Sequence, residues 1–535
     1  MGFVDRCEWK TQLPAHSLSS LDYTVIGAYF VLVLYIGLRV ARRTHSGDDL
    51  FLAGRRLGWI PVGFSLFASN ISSTTLVGLS GAAYVWGIAV SNYEWMAAFV
   101  LVFFAVFFIP CYLNARISTV PEFLERRFDR RSRLYFSGLT LFSNIVVDTA
   151  GTLFAGAMVI TVFFPQLDLF TACLLLALLA GVYTAAGGLA AVVYTDVLQA
   201  VVLLVGACLV SYLSFAQLDF SWARVVAETP PAKLSLMLPL DDPNLPWLGT
   251  LVGVPILGFY FWCTNQFIVQ RVLGARSIAH ARWGALLAGF LKLPVLYLMV
   301  LPGVMAGIFL PELENADMVF PALVTTLLPA GLAGLVIAGL LAAIMSSIDS
   351  TLNSAATLLT MDFMRPEQRG WSALRTAWVG RACVLGFMSL AVFISPLIKN
   401  FPGLFYYLQS ALAYLVPPVA VVFILGLFWR RASATGAIAT LLGGHAVSAV
   451  LFALTLLEVL TLHFTIVAGL LGLVSVIIML ASSRFGAPPQ DKQLAGFTYS
   501  PASIPAESSL AWWQDYRLYS VALVLLAAAL VTVHW

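Results

Sequence analysis

The sequence predicts an all-α integral membrane protein, and three observations carry that reading. Of its 535 residues, 60% are hydrophobic and only 10% are charged, where soluble domains run at about 45–50% apolar and about 25% charged. Apolar runs long enough to cross a bilayer recur about fourteen times, and a helix lets each such run satisfy its own backbone in lipid. The connections between runs alternate in lysine and arginine content, as the loops of a multi-pass protein do.

Taken in order, the spans are expected to begin near residues 21, 57, 89, 134, 168, 190, 246, 281, 332, 374, 402, 434, 463 and 515. The first apolar run, Tyr23 to Val40, is of spanning length and follows a polar segment, so it reads as a retained span rather than a cleaved signal. The connections RVARRTHS, LERRFDRRSR, QRVLGARSIAHAR, RPEQRGWSALR and FWRRAS are basic, and poorly basic ones such as LPELENAD lie between them. With the basic set in the cytoplasm, every loop agrees on one topology with both termini outside. The proline-rich segment Gln217 to Pro246 is expected to be an external loop, partly ordered at best. Ser482 to Ser509 reads as a cytoplasmic linker.

Several chemistries find no foothold. There is no nucleotide loop, nucleophile elbow, zinc motif or paired-histidine pattern, so an enzyme reading starts poorly. Five of the six cysteines (Cys111, Cys173, Cys208, Cys263 and Cys383) lie in apolar runs and read as small packing residues. A net charge of +3, spread over loops, gives no nucleic-acid signature.

The stretch SLFASNISSTTLVGLSG, Ser65 to Gly81, is the anomaly. Small residues in a membrane helix usually mark close helix packing, which accounts for Gly78, Ser80 and Gly81. It accounts poorly for Asn70 among serines. An amide in hydrocarbon needs partners, or the backbone there is itself irregular, which is tolerated only where protein buries it or a cavity adjoins it. Transporters use such broken helices to aim main-chain carbonyls at ions and solutes.

The residues SLFASNISSTTLVGLSGAAYVWGIAVSNYEW resemble the first two core helices of the sodium:solute symporter family, in its sodium/glucose cotransporter branch. YTAAGGLAAVVYTDVLQAVVLLVGA, FWCTNQFIVQRVLGAR with GFLKL, AAIMSSIDSTLNSAATLLTMD and LQSALAYLVPPVAVVFILGLFWRR agree in order, so the resemblance covers roughly residues 20 to 430. It implies a LeuT-like core of two five-helix inverted repeats, the first helix of each broken. The repeats would fall at 57–215 and 246–428. Residues 1–56 would add one helix before them, 216–245 the external loop, and 429–535 three helices after. The implied activity is sodium-coupled import of a sugar or polyol in the cell membrane. Na+ is the coupling ion, and a small solute and the lipid are the partners.

The same resemblance implies a sodium site made of the carbonyls of Ala68, Ile71 and Ala343 with the hydroxyls of Ser346 and Ser347. Five such oxygens suit a hard cation. Serines in membrane helices also bond back to their own helix, which is the plainer reading of Ser346 and Ser347. Glu94, Asp148, Asp196, Lys292 and Asp349 fall within spans, where ionisable side chains are costly and mark function or internal ion pairs. In the sugar-transporting branch, positions matching Asn70, Glu94, Lys292 and Gln409 hydrogen-bond the sugar, with Trp262 and Phe261 as aromatic candidates. Thr75, Phe261 and Gly258 depart from the branch's usual residues, and Asp148 adds a carboxylate close to the site. These departures leave open which polyol is carried, and a cationic solute would pair with Asp148. Asp196, with Asp349 nearby, matches a position linked to a second sodium; the alternative is a structural partner for a cytoplasmic arginine. A solute sensor on the same fold is the remaining class.

Overall fold

The computed structural model describes residues 18–41, 52–71, 73–164, 166–310, 312–365, 368–401, 403–500 and 514–535. Among these the chain is helical throughout, with isolated bridges at Leu57–Ala275 and Leu238–Pro246 in place of any strand. Ten helices are long and apolar enough to cross a membrane, or twelve when two bent pairs each count as one span. This is a multi-pass membrane protein.

Besides those bends, the helical path is broken at two other places. The helix Trp59–Asn70 ends at Ile71, whose backbone (φ −84°, ψ 76°) leaves the helical region, and a second helix resumes at Ser73–Trp86. Later in the chain, a π turn Tyr260–Thr264 is followed by Asn265 in an extended conformation (φ −69°, ψ 123°). The helix Gln266–Leu273 starts there, capped by the Asn265 side chain on the Phe267 amide. Both breaks carry an asparagine, which competes with the helix for its own backbone.

The expected spans near 57 and 89 turn about Gly87, whose φ of +76° suits a residue without a side chain. A Cβ there would lie 2.1 Å from the Lys233 carbonyl oxygen. The spans expected near 168 and 190 fall in one helical element, Leu169–Ala216. Within it Leu176 packs on Gly156 beside Ile344, while Val202 packs on Gly339, only five residues from Ile344 along the same helix. Straight helix would part Leu176 from Val202 by about 39 Å, so the chain turns back inside this element.

The basic connections gather on one face. Arg127 donates to the carbonyls of Gly426, Trp429 and Ala432, tying LERRFDRRSR to FWRRAS. Arg133 and Arg365 share Glu125, and Arg55 donates to the Ile117 carbonyl at 3.1 Å. Most of RVARRTHS lies outside the described residues. On the opposite face, Gly331 and Gly334 donate to Asp22, and the Leu404 amide donates to Asp317 from LPELENAD.

Two connections are better ordered than expected. The loop 217–246 contains a helix Trp222–Glu228 and a 3-10 turn Pro231–Leu234. Leu218, Val225, Leu236, Leu238 and Leu245 are buried, and Asn92 donates to the Leu236 carbonyl at 2.7 Å. Leu218, Val225 and Leu236 join the main core of the protein, which proline content alone does not reveal. In the expected linker, the described part up to Ser500 folds against the basic face. Phe497 is buried, Gln493 donates to the Phe128 carbonyl and the Tyr499 amide to the Leu427 carbonyl. Residues 501–513 lie outside the described set.

Candidate functional site

A cavity lies between the two breaks. Ser69, Asn70 and Thr75 from the first broken span line it, with Tyr93 and Glu94 from the helix Ser91–Phe103. Asp148 and Thr152 face it from the span Arg130–Phe163, and Phe261 and Trp262 from the π turn of the second break. Ser347 and Thr351 enter from the helix Leu332–Thr357, and Gln409 from Leu404–Leu415. Seven of the eight residues expected at the solute site therefore share one cavity.

Lys292, the eighth, sits directly behind the lining. It is fully buried and donates to both Asn70 Oδ1 and Glu94 Oε2. Its ammonium also lies 5.7 Å from the Trp262 ring centre and 5.8 Å from that of Phe67, close enough for cation–π attraction. Lys292 thus fixes the rotamers of an amide and a carboxylate that face the cavity, and supplies the counter-charge a buried glutamate requires. Trp95 Nε1 donates to the Leu293 carbonyl at 3.0 Å, anchoring the two helices that carry Glu94 and Lys292.

The break itself is stitched locally. Thr75 Oγ1 donates to the Asn70 carbonyl at 2.6 Å, satisfying one of the acceptors that the interrupted helix leaves open. Ala68, Ile71 and Ala343 are buried, and the helix bearing Ser346 and Ser347 packs against both halves of the broken span. Ser347 Oγ is buried and has no hydrogen-bond partner among the described residues, so the back-bonding expected of a plain membrane serine is not what it does. An orphaned hydroxyl that lines the same cavity as Asn70 at the break fits an oxygen donor set for a hard cation. Ser346 behaves differently: its hydroxyl donates to Asp196 Oδ1.

Asp196 is fully buried and pairs with Arg271 at 3.2 Å. Ser65 donates to the same carboxylate, while Arg271 donates to Ser65 Oγ and Ser350 Oγ, each at 2.8 Å. Ser65 lies one turn before Ser69 toward the basic face, and Ser69, which lines the cavity, donates to Asp196 Oδ2 at 3.4 Å, so the cluster adjoins the cavity on that side. Of the two readings of Asp196, partner to an arginine is the arrangement present. Asp349 is also buried but lies outside the cavity lining, as does Asp196.

Some lining residues escaped the sequence reasoning. Tyr93, Thr152 and Thr351 also line the cavity. Tyr93 adjoins Glu94 in the quoted NYEW, and Thr351 lies one helical turn after Ser347, so helical spacing held the signal for the second.

With this geometry in place, similarity to known proteins becomes decisive. Residues 50–444 match the sodium:solute symporter family. The chain belongs to that family. Among similar members, the sodium/myo-inositol cotransporter 2 of Homo sapiens is 35% identical, spanning 91% of this chain and 80% of its own length. The sodium/mannose cotransporter of Bos taurus is 34% identical across 93% of this chain and 92% of its own. The sodium/glucose cotransporter 4 of Danio rerio is 32% identical, covering 91% of this chain and 82% of its own. A solved Na+-coupled sialic acid symporter, substrate-bound and outward-open, superposes with a TM-score of 0.77 at 23% identity, covering 88% of this chain and 99% of its own. That likeness concerns the symporter fold alone.

Proposed function

We propose that this chain is a sodium-coupled symporter that imports a sugar or sugar-like polyol across the cell membrane by alternating access. The observation that carries the reading is a cavity between two helix breaks that presents an amide, a lysine-paired carboxylate and a glutamine beside an indole. A polyhydroxylated solute needs acceptors and donors at fixed angles and an apolar face to stack on. Asn70, Thr75, Glu94 and Gln409 supply the first; Trp262 and Phe261 supply the second. Lys292 holds two of those groups in register and is the cation nearest the solute.

In this reading the chain crosses fourteen times. Residues 57–215 and 246–428 form the inverted repeats, and 1–56, 216–245 and 429–535 are the flanking segments and loop. Sodium travels as cargo on the carbonyls of Ala68, Ile71 and Ala343 and the hydroxyls of Ser346 and Ser347. Asp196 and Asp349 are candidates for a second ion. Sodium joins the broken helix to the helix of Ser347, favouring the cavity's binding form. By linkage, solute raises sodium affinity by the same factor. The sodium gradient drives the cycle, with the membrane potential adding roughly 2.3 kcal/mol per charge per 100 mV. Phe261 and the Asp196–Arg271 cluster close the inner path until sodium leaves.

The test is uptake of glucose, mannose and myo-inositol into proteoliposomes under a sodium or a potassium gradient. At least one should enter with sodium only, and Ser347→Ala should abolish that entry while the protein still purifies folded. Equal uptake under both gradients refutes the coupling, and no uptake of any polyol refutes the cargo class.

A further inference from the structure

Asp148 is the one charged group of the cavity that the mechanism above leaves without work. It sits on the π turn Asn144–Thr149, and its Oδ2 is buried with no hydrogen-bond partner among the described residues. Three donors close by in the chain or packed on this turn are engaged elsewhere. Tyr407 donates to the Val146 carbonyl at 2.7 Å, Thr152 to the Asp148 carbonyl at 2.8 Å and Thr149 to the Asn144 carbonyl at 2.6 Å.

The cations are engaged too. Lys292 serves Glu94 and Asn70, and Arg271 serves Asp196. Among the described residues lining the cavity there are two carboxylates and no cation, and only Glu94 has its charge matched from behind. An isolated carboxylate away from water is strongly disfavoured and calls for a counter-charge. The oxygens assigned to sodium have the opposite defect, since none of them carries formal charge. Ser347, whose hydroxyl is also orphaned, lines the same cavity as Asp148. Thr149 and Thr351 hydroxyls meet at 2.8 Å, and Asn144 donates to Ser354 at 3.0 Å, so the turn bearing Asp148 is fixed to the helix bearing Ser347.

We propose that Asp148 is the counter-charge of the transported sodium, acting across the cavity rather than as a direct ligand. Sodium's arrival balances the carboxylate, whose oxygens then accept from cargo hydroxyls in a cavity of no net charge. Asp148 is thus a positioning residue for coupling, and the inference rests on the sodium reading above.

The test uses the full chain in detergent, without sugar. Its melting temperature is followed as sodium replaces choline at constant ionic strength. The sodium concentration giving half the stabilisation should rise roughly tenfold in Asp148→Asn, within the 5- to 150-fold span usual for such coupling. It should stay near wild type in Asp148→Glu. A structural role alone would lower melting in choline and sodium alike and leave that midpoint within about twofold, which overturns the proposal. Asp148→Ser, neutral and smaller, gives the same comparison where the asparagine variant does not fold. If the neutral variants keep the wild-type midpoint and lose only stabilisation by glucosamine, the missing cation is on the cargo and the proposal is again overturned. Because sugar is absent from the main arm, failure of the cargo assignment leaves this result intact. A wild type indifferent to sodium sinks both.

Discussion

At the residue scale, the site works by making each polar group's partner explicit. Gln409 faces the cavity from the surface of its helix, while Lys292 is buried behind the wall and bonded on two sides. The two therefore differ in what their loss does. Gln409→Ala removes a group offered to the solute and leaves no charge stranded. Its half-saturating solute concentration should rise about tenfold, equivalent to ~1.4 kcal/mol, with the sodium midpoint unchanged. Lys292→Ala strands Glu94 as an unpaired buried charge, so a loss of about 3–5 kcal/mol in stability should accompany its loss of binding. Uptake kinetics and thermal unfolding on both variants check this. Wild-type kinetics in Gln409→Ala would remove it from the pocket.

At the element scale, helices that bear site residues are bent where their sequence withholds donors, and neighbours make good the loss. The helix pair Leu404–Leu415 and Pro417–Phe428 is bent by 52°. Pro417 and Pro418 have no amide hydrogen, so the carbonyls of Ala413 and Tyr414 lose their usual donors four residues on. Ser448 Oγ donates to the Tyr414 carbonyl at 2.5 Å, and a ring nitrogen of His445 lies 2.8 Å from the Leu415 carbonyl oxygen. Both come from the helix Ala434–Leu456, which approaches closely at Gly444, where a Cβ would meet Pro418 at 2.7 Å. Ser448→Ala should therefore cost about 1–3 kcal/mol, read as a fall in melting temperature. Adding Pro418→Ala, which returns an amide to the Tyr414 carbonyl, should recover part of it. An unchanged melting temperature in the single variant would show that this carbonyl needs no outside donor.

At the scale of the whole molecule, the cavity is bounded on the basic face by one buried charge cluster built from four separate elements. Ser65, Asp196, Arg271 and Ser350 come from the helix before the first break, the long element Leu169–Ala216, the helix after the second break and the helix of Ser346 and Ser347. Under the proposed mechanism such a cluster would open only when those elements part together. Arg271→Ala should therefore give sodium entry into proteoliposomes without solute, several-fold above wild type, with solute-coupled entry reduced. A variant that stays folded and shows no such leak would assign the cluster to packing alone.

The division between what could be read and what could not follows the range of the interactions. Apolar runs, loop charge and the motif around Asn70 are local patterns. They were enough to establish the helical membrane class, and with the resemblance, the transporter family and the residues gathered about the cavity. Three arrangements are visible only in tertiary contact. Lys292 reaches residues 222 and 198 positions away in the chain, so its place behind the wall rather than in it has no sequence signature. Asp196 was equally readable as an ion ligand or an arginine's partner, and only the tertiary structure shows that Arg271 comes to lie beside it. The loop 217–246 looked polar and proline-rich, yet it docks, because the apolar surface that receives Leu218, Val225 and Leu236 is assembled from helices far along the chain. Local propensity decides which segments enter the bilayer, whereas the pairing of buried charges is decided by which segments meet there.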